Sequence, residues 1–296
     1  MGRALGIIIL LIVAWLAYSA YFILSMHPRF TGEWGYVDEA TTEINIVMSL
    51  GKPAPFPITI ENATVSLGGV SFARVERAEV GFLSSKAAFT MVIDNKKLVE
   101  ALVKHIENGE VSDVSISLNV KLFNVLPLHY TIDKEVTTDI LSYVENIKVE
   151  PETRVIGFIP IKTPGIEGIE ARWGGVTREH IKIIANVKIY NPNAVPLPLM
   201  GLSSTIYIND VRVGEAHLLE KTVIKAGGRD TVGVEIIIDP GVLPRVWAEH
   251  VKKGERSVIR ADIYMTLEVA NRPFKVCLTS VEKTIETDIL SSLSSI

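Results

Sequence analysis

The chain of 296 residues carries the same series of short segments twice, in the same order. A tryptophan–glycine pair opens each series, and a Thr-Asp-Ile-Leu-Ser run closes it. Because chance identity does not easily produce such an ordered series, we interpret the chain as two copies of one unit. The matched positions are Trp34 and Trp173, Pro53 and Pro192, Pro57 and Pro196, 64–70 and 205–211, 89–94 and 234–239, His105 and His250, Glu110 and Glu255, Ser112 and Ser257, and 138–142 and 287–291.

The second copy contains the clearest strand pattern. Across residues 181–190 apolar side chains alternate with polar ones, which is typical of a half-buried strand. Asn191, Pro192 and Asn193 follow and should end the strand, because proline cannot donate to a ladder and asparagine bonds to nearby backbone. We therefore expect these three residues and Pro196 to have a structural role, setting the direction of the next segment.

This three-residue motif, at a strand end and before a proline-rich stretch, resembles the signature of the WHy (water stress and hypersensitive response) domain of late embryogenesis abundant group 2 proteins. The resemblance covers most of residues 160–296 by motif. It covers residues 30–147 only through the repeat, because Lys52-Pro53-Ala54 stands where the signature would be. The resemblance implies a fibronectin-like β-sandwich that carries a helix, and a role in desiccation and other stress responses, often without enzymatic activity.

Short apolar runs separated by turn signals predict a mainly β chain. We expect two fibronectin- or immunoglobulin-like antiparallel β-sandwiches, a degenerate copy at residues 27–147 and a second at 148–296. The proline-containing stretch 145–165 is interpreted as their connection. The predicted strands lie near 42–50, 56–67, 70–82, 87–93, 112–123, 128–137, 166–172, 178–190, 199–208, 211–224, 231–238, 256–269 and 273–286.

Each copy should also contain one short helix. Asp94 or Asn95 can cap the first, and Pro240 or Pro244 can begin the second. Both helices should end before a glycine.

Residues 4–25 contain no charged side chain and exceed the roughly 20 residues that a helix needs to cross a bilayer. The alternative is a cleaved signal peptide, whose apolar core is usually shorter and is followed by a small-x-small site. Tyr18-Ser19-Ala20 is a poor candidate for such a site. We therefore predict an uncleaved, single-pass transmembrane helix at residues 1–26, with the lipid bilayer as its partner.

The very short N-terminal tail favours an orientation with the bulk of the chain outside the cell. The only acceptor sequon, Asn62-Ala63-Thr64, would be usable on that side, which makes Asn62 a possible glycosylation site.

Little in the sequence suggests chemistry. The net charge is −4 with both signs interspersed, and no basic stripe favours a nucleic-acid partner. Cys277 is the single cysteine, so no intrachain disulfide can form, and its apolar surroundings predict burial. No HExxH motif or cysteine pair supports a metal, and we expect no cofactor and no catalytic residue.

Several repeated polar residues have two interpretations. His105 and His250 could share a ligand or a pH role, but we favour a position near a helix C-terminus that suits the helix dipole. The Thr-Asp pairs at 138–139 and 287–288 could belong to a cleft, but we expect them to end the last strand with local backbone bonds. The repeated tryptophans are interpreted as lids over the core.

Together these observations favour a non-enzymatic, membrane-anchored tandem WHy protein that acts in stress or desiccation protection or in envelope scaffolding. The alternative is a binding module for lipid or protein clients, tethered at the membrane. An enzyme is a third hypothesis, for which the sequence offers no nucleophile, base and orienting group at a recognisable spacing.

Overall fold

The structure is a computed structural model that describes residues 2–156, 159–269 and 272–292. Within that part, the chain forms two compact units. The first unit comprises residues up to 101, residues 113–135 and residues from 287 onward; the second comprises 102–112 and 136–286. The predicted domain boundaries at residues 26 and 147 stay predictions.

The first sheet has seven strands. They are β1 (Arg29–Val37), β2 (Thr41–Ser49), β3 (Ile58–Leu67), β4 (Val70–Val80), β5 (Lys86–Asp94), β6 (Val111–Leu122) and β7 (Leu126–Thr137). Their order in the sheet is β1-β2-β5-β4-β3-β6-β7.

This first sheet folds over on itself. The strands β4 and β5 pair only at Ala73 with Ile93 and at Arg74 with Val92, so the two halves of the sheet are free to face each other. Alternate residues of β2 then point into one core, where Ile44 packs with Ala73 and Ile93. The expected antiparallel β-sandwich is the result.

The second sheet has eight strands. They are β10 (Gly165–Val176), β11 (Ile181–Tyr190), β12 (Leu197–Ile208), β13 (Val211–Leu218), β14 (Thr222–Ile224), β15 (Arg229–Ile238), β16 (Arg256–Val269) and β17 (Arg272–Glu286). The order is β10-β11-β15-β13-β12-β16-β17, with β14 paired to β12. Apart from the added β14, this is the strand order of the first sheet. Its core joins side chains from both ends of the sheet, including Ile189, Leu199, Met265 and Leu278.

The two predicted helices are confirmed. Helix α2 (Asn95–Glu107) follows β5, and Asp94 Oδ1 accepts hydrogen bonds from the backbone of Lys96 and Lys97, each at 3.1 Å. Helix α4 (Leu243–Lys252) follows a 3-10 turn at Pro240–Val242 and has Pro244 in its first turn.

Five strands and helices were not predicted from the sequence. The strand β1 was not predicted, because its residues include two glycines and show no clear alternation; none of its side chains is buried. The stretch 145–165, interpreted above as the connection, contains a hairpin of β8 (Thr153–Ile156) and β9 (Ile159–Lys162), and helix α3 (Ser142–Glu145) comes at its start. Residues 157–158 of this stretch lie outside the described residues. Helix α5 (Ile289–Ser292) ends the described chain. Elements of four residues are too short to show a periodicity.

Helix α1 (Gly2–Leu24) occupies the predicted membrane anchor. Among the described residues, none of the helices combines the length and apolar character that crossing a bilayer requires. The transmembrane helix predicted at residues 1–26 is therefore not confirmed. The second half of α1 packs on the sheet of the first unit, where Phe22 is buried against Phe56.

Candidate functional site

The Asn-Pro-Asn motif begins where β11 ends. The strand pairs with β15 as far as Tyr190 and Arg229, and the backbone N–H of Asn191 then donates to Gly228 O at 2.9 Å. Asn191 is 0% exposed. A buried amide must find its hydrogen-bond partners within the protein, so its surroundings define what the motif does.

The side chain of Asn191 bonds to its own loop and to the segment at 224–225. Its Nδ2 group lies 3.0 Å from Val195 O, 3.2 Å from Ile224 O and 3.1 Å from Lys225 O. Its Oδ1 accepts from the backbone N and the Nδ2 of Asn193, at 3.0 and 2.9 Å. Because the amide has two N–H groups, one of them is shared between carbonyls. The motif therefore ties the end of β11 to the loop after β14.

Asn193 extends the junction to β9. It exchanges two hydrogen bonds with the backbone of Lys162, one at 2.9 Å through Oδ1 and one at 2.8 Å through Nδ2. Pro192 is half-buried, and exposed Pro196 directly precedes the buried Leu197 at the start of β12. This is the geometry of a structural junction. That the four motif residues serve structure and not recognition stays a prediction.

In the first half of the chain, the corresponding turn holds helix α1. The hydroxyl of Tyr18 donates to Pro53 O at 2.8 Å, and Trp15 Nε1 donates to Pro55 O at 2.9 Å. Lys52 Nζ donates to the Tyr21 hydroxyl at 2.9 Å and lies 4.0 Å from the centre of that ring. The turn that lacks the two asparagines is thus the site on which the apolar helix packs.

Asn62 lies at a bulge of β3. In the pairing of β3 with β6 the register shifts between Glu61 and Thr64, which pair with Asn119 and Ser117, and Asn62 itself has a φ of 51°. Asparagine tolerates this left-handed region better than most residues. The side chain is exposed, and its glycosylation stays a prediction.

A buried carboxylate forms a second cluster that the sequence did not suggest. Glu110, 7% exposed, accepts a hydrogen bond from Thr138 Oγ1 at 2.9 Å, from the backbone of Ile140 at 2.7 Å and from Trp173 Nε1 at 3.1 Å. The only sequence signal was that Glu110, Thr138 and Trp173 recur in both halves. The indole of Trp173 is therefore held in position by its hydrogen bond to Glu110, in addition to any packing role.

His105 completes this cluster. Its Nε2 lies 2.9 Å from Thr138 Oγ1, and because that hydroxyl donates to Glu110, the imidazole is the donor. His105 is buried, and its Nδ1 has no hydrogen-bond partner in the part of the chain that the structure describes. His105 lies in the last turn of α2, as predicted, and its buried side chain also braces the segment after β7.

His250, the matched residue on α4, is also buried. Its Nδ1 lies 2.9 Å from Ser257 Oγ, which in turn accepts from Asn209 Nδ2 at 3.0 Å. Burial lowers the pKa of His250, and the carboxylate of Glu255 opposes this in part. His250 lies in the last turn of α4, as the dipole interpretation predicts, but burial has the larger effect on its pKa.

A pH prediction follows for His250. Since its pKa is lower in the folded chain, its stabilising contribution is present above the unfolded value of about 6.5 and is lost as the pH falls below it. Thermal unfolding should show that His250→Asn loses less stability between pH 7 and pH 5 than the wild type does. The exposed His27 offers a control, and His27→Asn should keep the wild-type pH dependence. Equal pH dependence in the His250→Asn variant would contradict the burial argument.

The remaining predictions about chemistry have mixed outcomes. Cys277 is exposed, so the expected burial is wrong. Asp139 Oδ1 and Asp288 Oδ1 each accept from a backbone N–H three residues on, at 3.2 Å, as the local-bond interpretation predicts. In the described ranges, no three His, Cys, Asp or Glu side chains are grouped to hold a metal ion.

Comparison with known proteins finds one family model. Residues 186–281, about a third of the chain, match the model of late embryogenesis abundant protein. No curated protein sequence matches the chain. Among solved structures, a protein from Archaeoglobus fulgidus is 26% identical, over 42% of this chain and 98% of its own, with a TM-score of 0.37.

Two further structures are more distant. A solution structure from Arabidopsis thaliana is 16% identical over 40% of this chain and 78% of its own, with a TM-score of 0.29. A beta-glucuronidase from glycoside hydrolase family 2 is 10% identical, covering 86% of this chain but 25% of that enzyme, with a TM-score of 0.25. The similarity that carries weight is the family model, and its matched residues include the motif. The second half of the chain is thus similar to late embryogenesis abundant proteins.

Proposed function

We propose that this is a non-enzymatic stress-response protein, built from two WHy-like units and attached to a membrane. The observation that carries the proposal is the match of residues 186–281 to the late embryogenesis abundant family. The shared strand order of the two sheets supports tandem copies. The two units would act by weak surface contacts that protect other proteins or lipid surfaces during drying, or that support the cell envelope.

Helix α1 is the proposed point of attachment to the membrane. Residues 4–25 contain no charged side chain, and Leu10, Leu11 and Val13 are exposed to the surroundings. Burying such side chains in lipid is favourable by about 25 cal/mol for each Å² removed from water. The second half of the helix is held by the 52–55 turn, so insertion of the first half would fix the first unit at the surface, with the bulk of the chain outside the cell.

A vesicle and drying experiment tests this function. The full chain should float with phosphatidylcholine vesicles in a density gradient, and it should preserve the activity of a dried reporter enzyme better than an equal mass of albumin. The variant Leu10→Asp with Val13→Asp changes only exposed side chains and should lose flotation. A full chain that stays at the bottom of the gradient would contradict attachment, and no advantage over albumin would contradict protection.

A lipid- or protein-binding module is the second candidate function. It is favoured by the large apolar side chains exposed near α1. Native mass spectrometry of the detergent-purified protein distinguishes the two, because a stoichiometric bound lipid would favour the binding module.

A further inference from the structure

Two neighbouring connections of the first unit expose large apolar side chains. Phe82 and Leu83, between β4 and β5, are each 61% exposed. Val125 and Leu126, at the turn between β6 and β7, are 78% and 51% exposed. Soluble proteins rarely gather such side chains at one place without a binding role, so this end of the unit is a candidate interaction surface.

Both connections are fastened to the turn that receives helix α1. The backbone N–H of Leu83 donates to Ala54 O at 2.8 Å. The ring of Phe123 lies 4.4 Å from that of Phe56 and 5.9 Å from that of Trp15, measured between ring centres. Both connections therefore lie beside the turn that holds α1, and Phe123 contacts the helix at Trp15.

The chemistry along α1 identifies the occupant of this surface as a lipid bilayer. Ahead of Trp15 the helix carries no charge back to Ala4. Tyr18 and Tyr21 follow Trp15 on the helix, and Lys52 lies beside them on the 52–55 turn. The polar ends of all three side chains are hydrogen-bonded. Tryptophan, tyrosine and lysine at the end of an apolar segment are the groups that lie at a membrane–water boundary. A bilayer accommodates both the uncharged helix and the apolar loops beside its boundary.

We propose that the apolar surface of loop 81–85 and turn 123–126 lies in the interfacial region of the same bilayer that receives helix α1. This inference rests on the membrane attachment proposed above and adds a second, independent contact to it. Interfacial apolar groups reach roughly 5–10 Å into the headgroup and acyl boundary. The first unit is then held against the lipid in a fixed orientation, and is not merely tethered by one helix.

A fluorescent label at Val125 tests the contact. In a Cys277→Ser background, Val125→Cys is labelled with the environment-sensitive dye NBD. With phosphatidylcholine vesicles its emission should shift to the blue, and lipid carrying a doxyl quencher near the headgroup should reduce its intensity. Val195→Cys is the matched control, because Val195 is also an exposed valine and lies in the second unit. Its label should show neither change.

The outcomes separate this inference from the attachment itself. If the labelled protein floats with vesicles but the dye at position 125 stays in water, the loops do not dock and the attachment stands. If the protein does not float, both proposals fail. A blue shift that appears without vesicles and grows with protein concentration would mean that a second protein copy covers the surface, and would overturn the lipid assignment.

Discussion

Replacing Glu110 with alanine should lower the free energy of unfolding by about 2–4 kcal/mol. The substitution removes the acceptor of three hydrogen bonds, from Thr138 Oγ1, the backbone of Ile140 and Trp173 Nε1. The three bonds are part-buried, so water can replace the carboxylate only in part, and each bond contributes about 0.5–1.5 kcal/mol. Urea unfolding of the full chain, followed by circular dichroism and tryptophan fluorescence, measures the change.

Glu107 provides the matched control. It is the last residue of α2, and its partly exposed carboxylate lies 3.0 Å from Lys104 Nζ. An ion pair of this kind contributes little, so Glu107→Ala should change the stability by about 0.5 kcal/mol or less. If the two alanine variants were equally stable, the buried cluster would not be what holds this region.

The second large effect is expected at the Asn-Pro-Asn motif. Replacing Asn191 and Asn193 together by alanine should destabilise the second unit by about 2–4 kcal/mol. The loss is expected because the buried carbonyl of Ile224 and the part-buried carbonyls of Val195 and Lys225 lose their donor. The first unit should keep its stability, since its own turn does without both asparagines. Separate unfolding transitions, resolved by differential scanning calorimetry, measure both effects.

Asn186 is a suitable control because it lies on the same strand, β11, with its side chain exposed. Asn186→Ala should leave the second transition close to that of the wild type. A double variant at the motif that keeps full stability but no longer protects a dried enzyme or binds a lipid would mean that the motif is a recognition site. The structural interpretation would then be wrong.

The sequence by itself determined the local structure of this protein. Alternation across residues 181–190 specified a half-buried strand, because side chains of a strand point to opposite faces with a period of two. Asp94 specified the start of α2, because its carboxylate accepts from the N–H groups two and three residues on. The motif after β11 specified a strand end for the same reason. Each signal acts between residues that are close in the chain.

Only the tertiary structure decided which of these elements meet. The partners of Asn191 lie at Ile224 and Lys225, and those of Glu110 at Thr138 and Trp173, so no local pattern points to them. The apolar pattern of residues 4–25 predicted a membrane helix, since hydropathy registers side-chain chemistry and not contacts. Hydropathy does not show that one half of the helix packs on the turn at 52–55. Burial against protein and burial in lipid require the same apolar side chains.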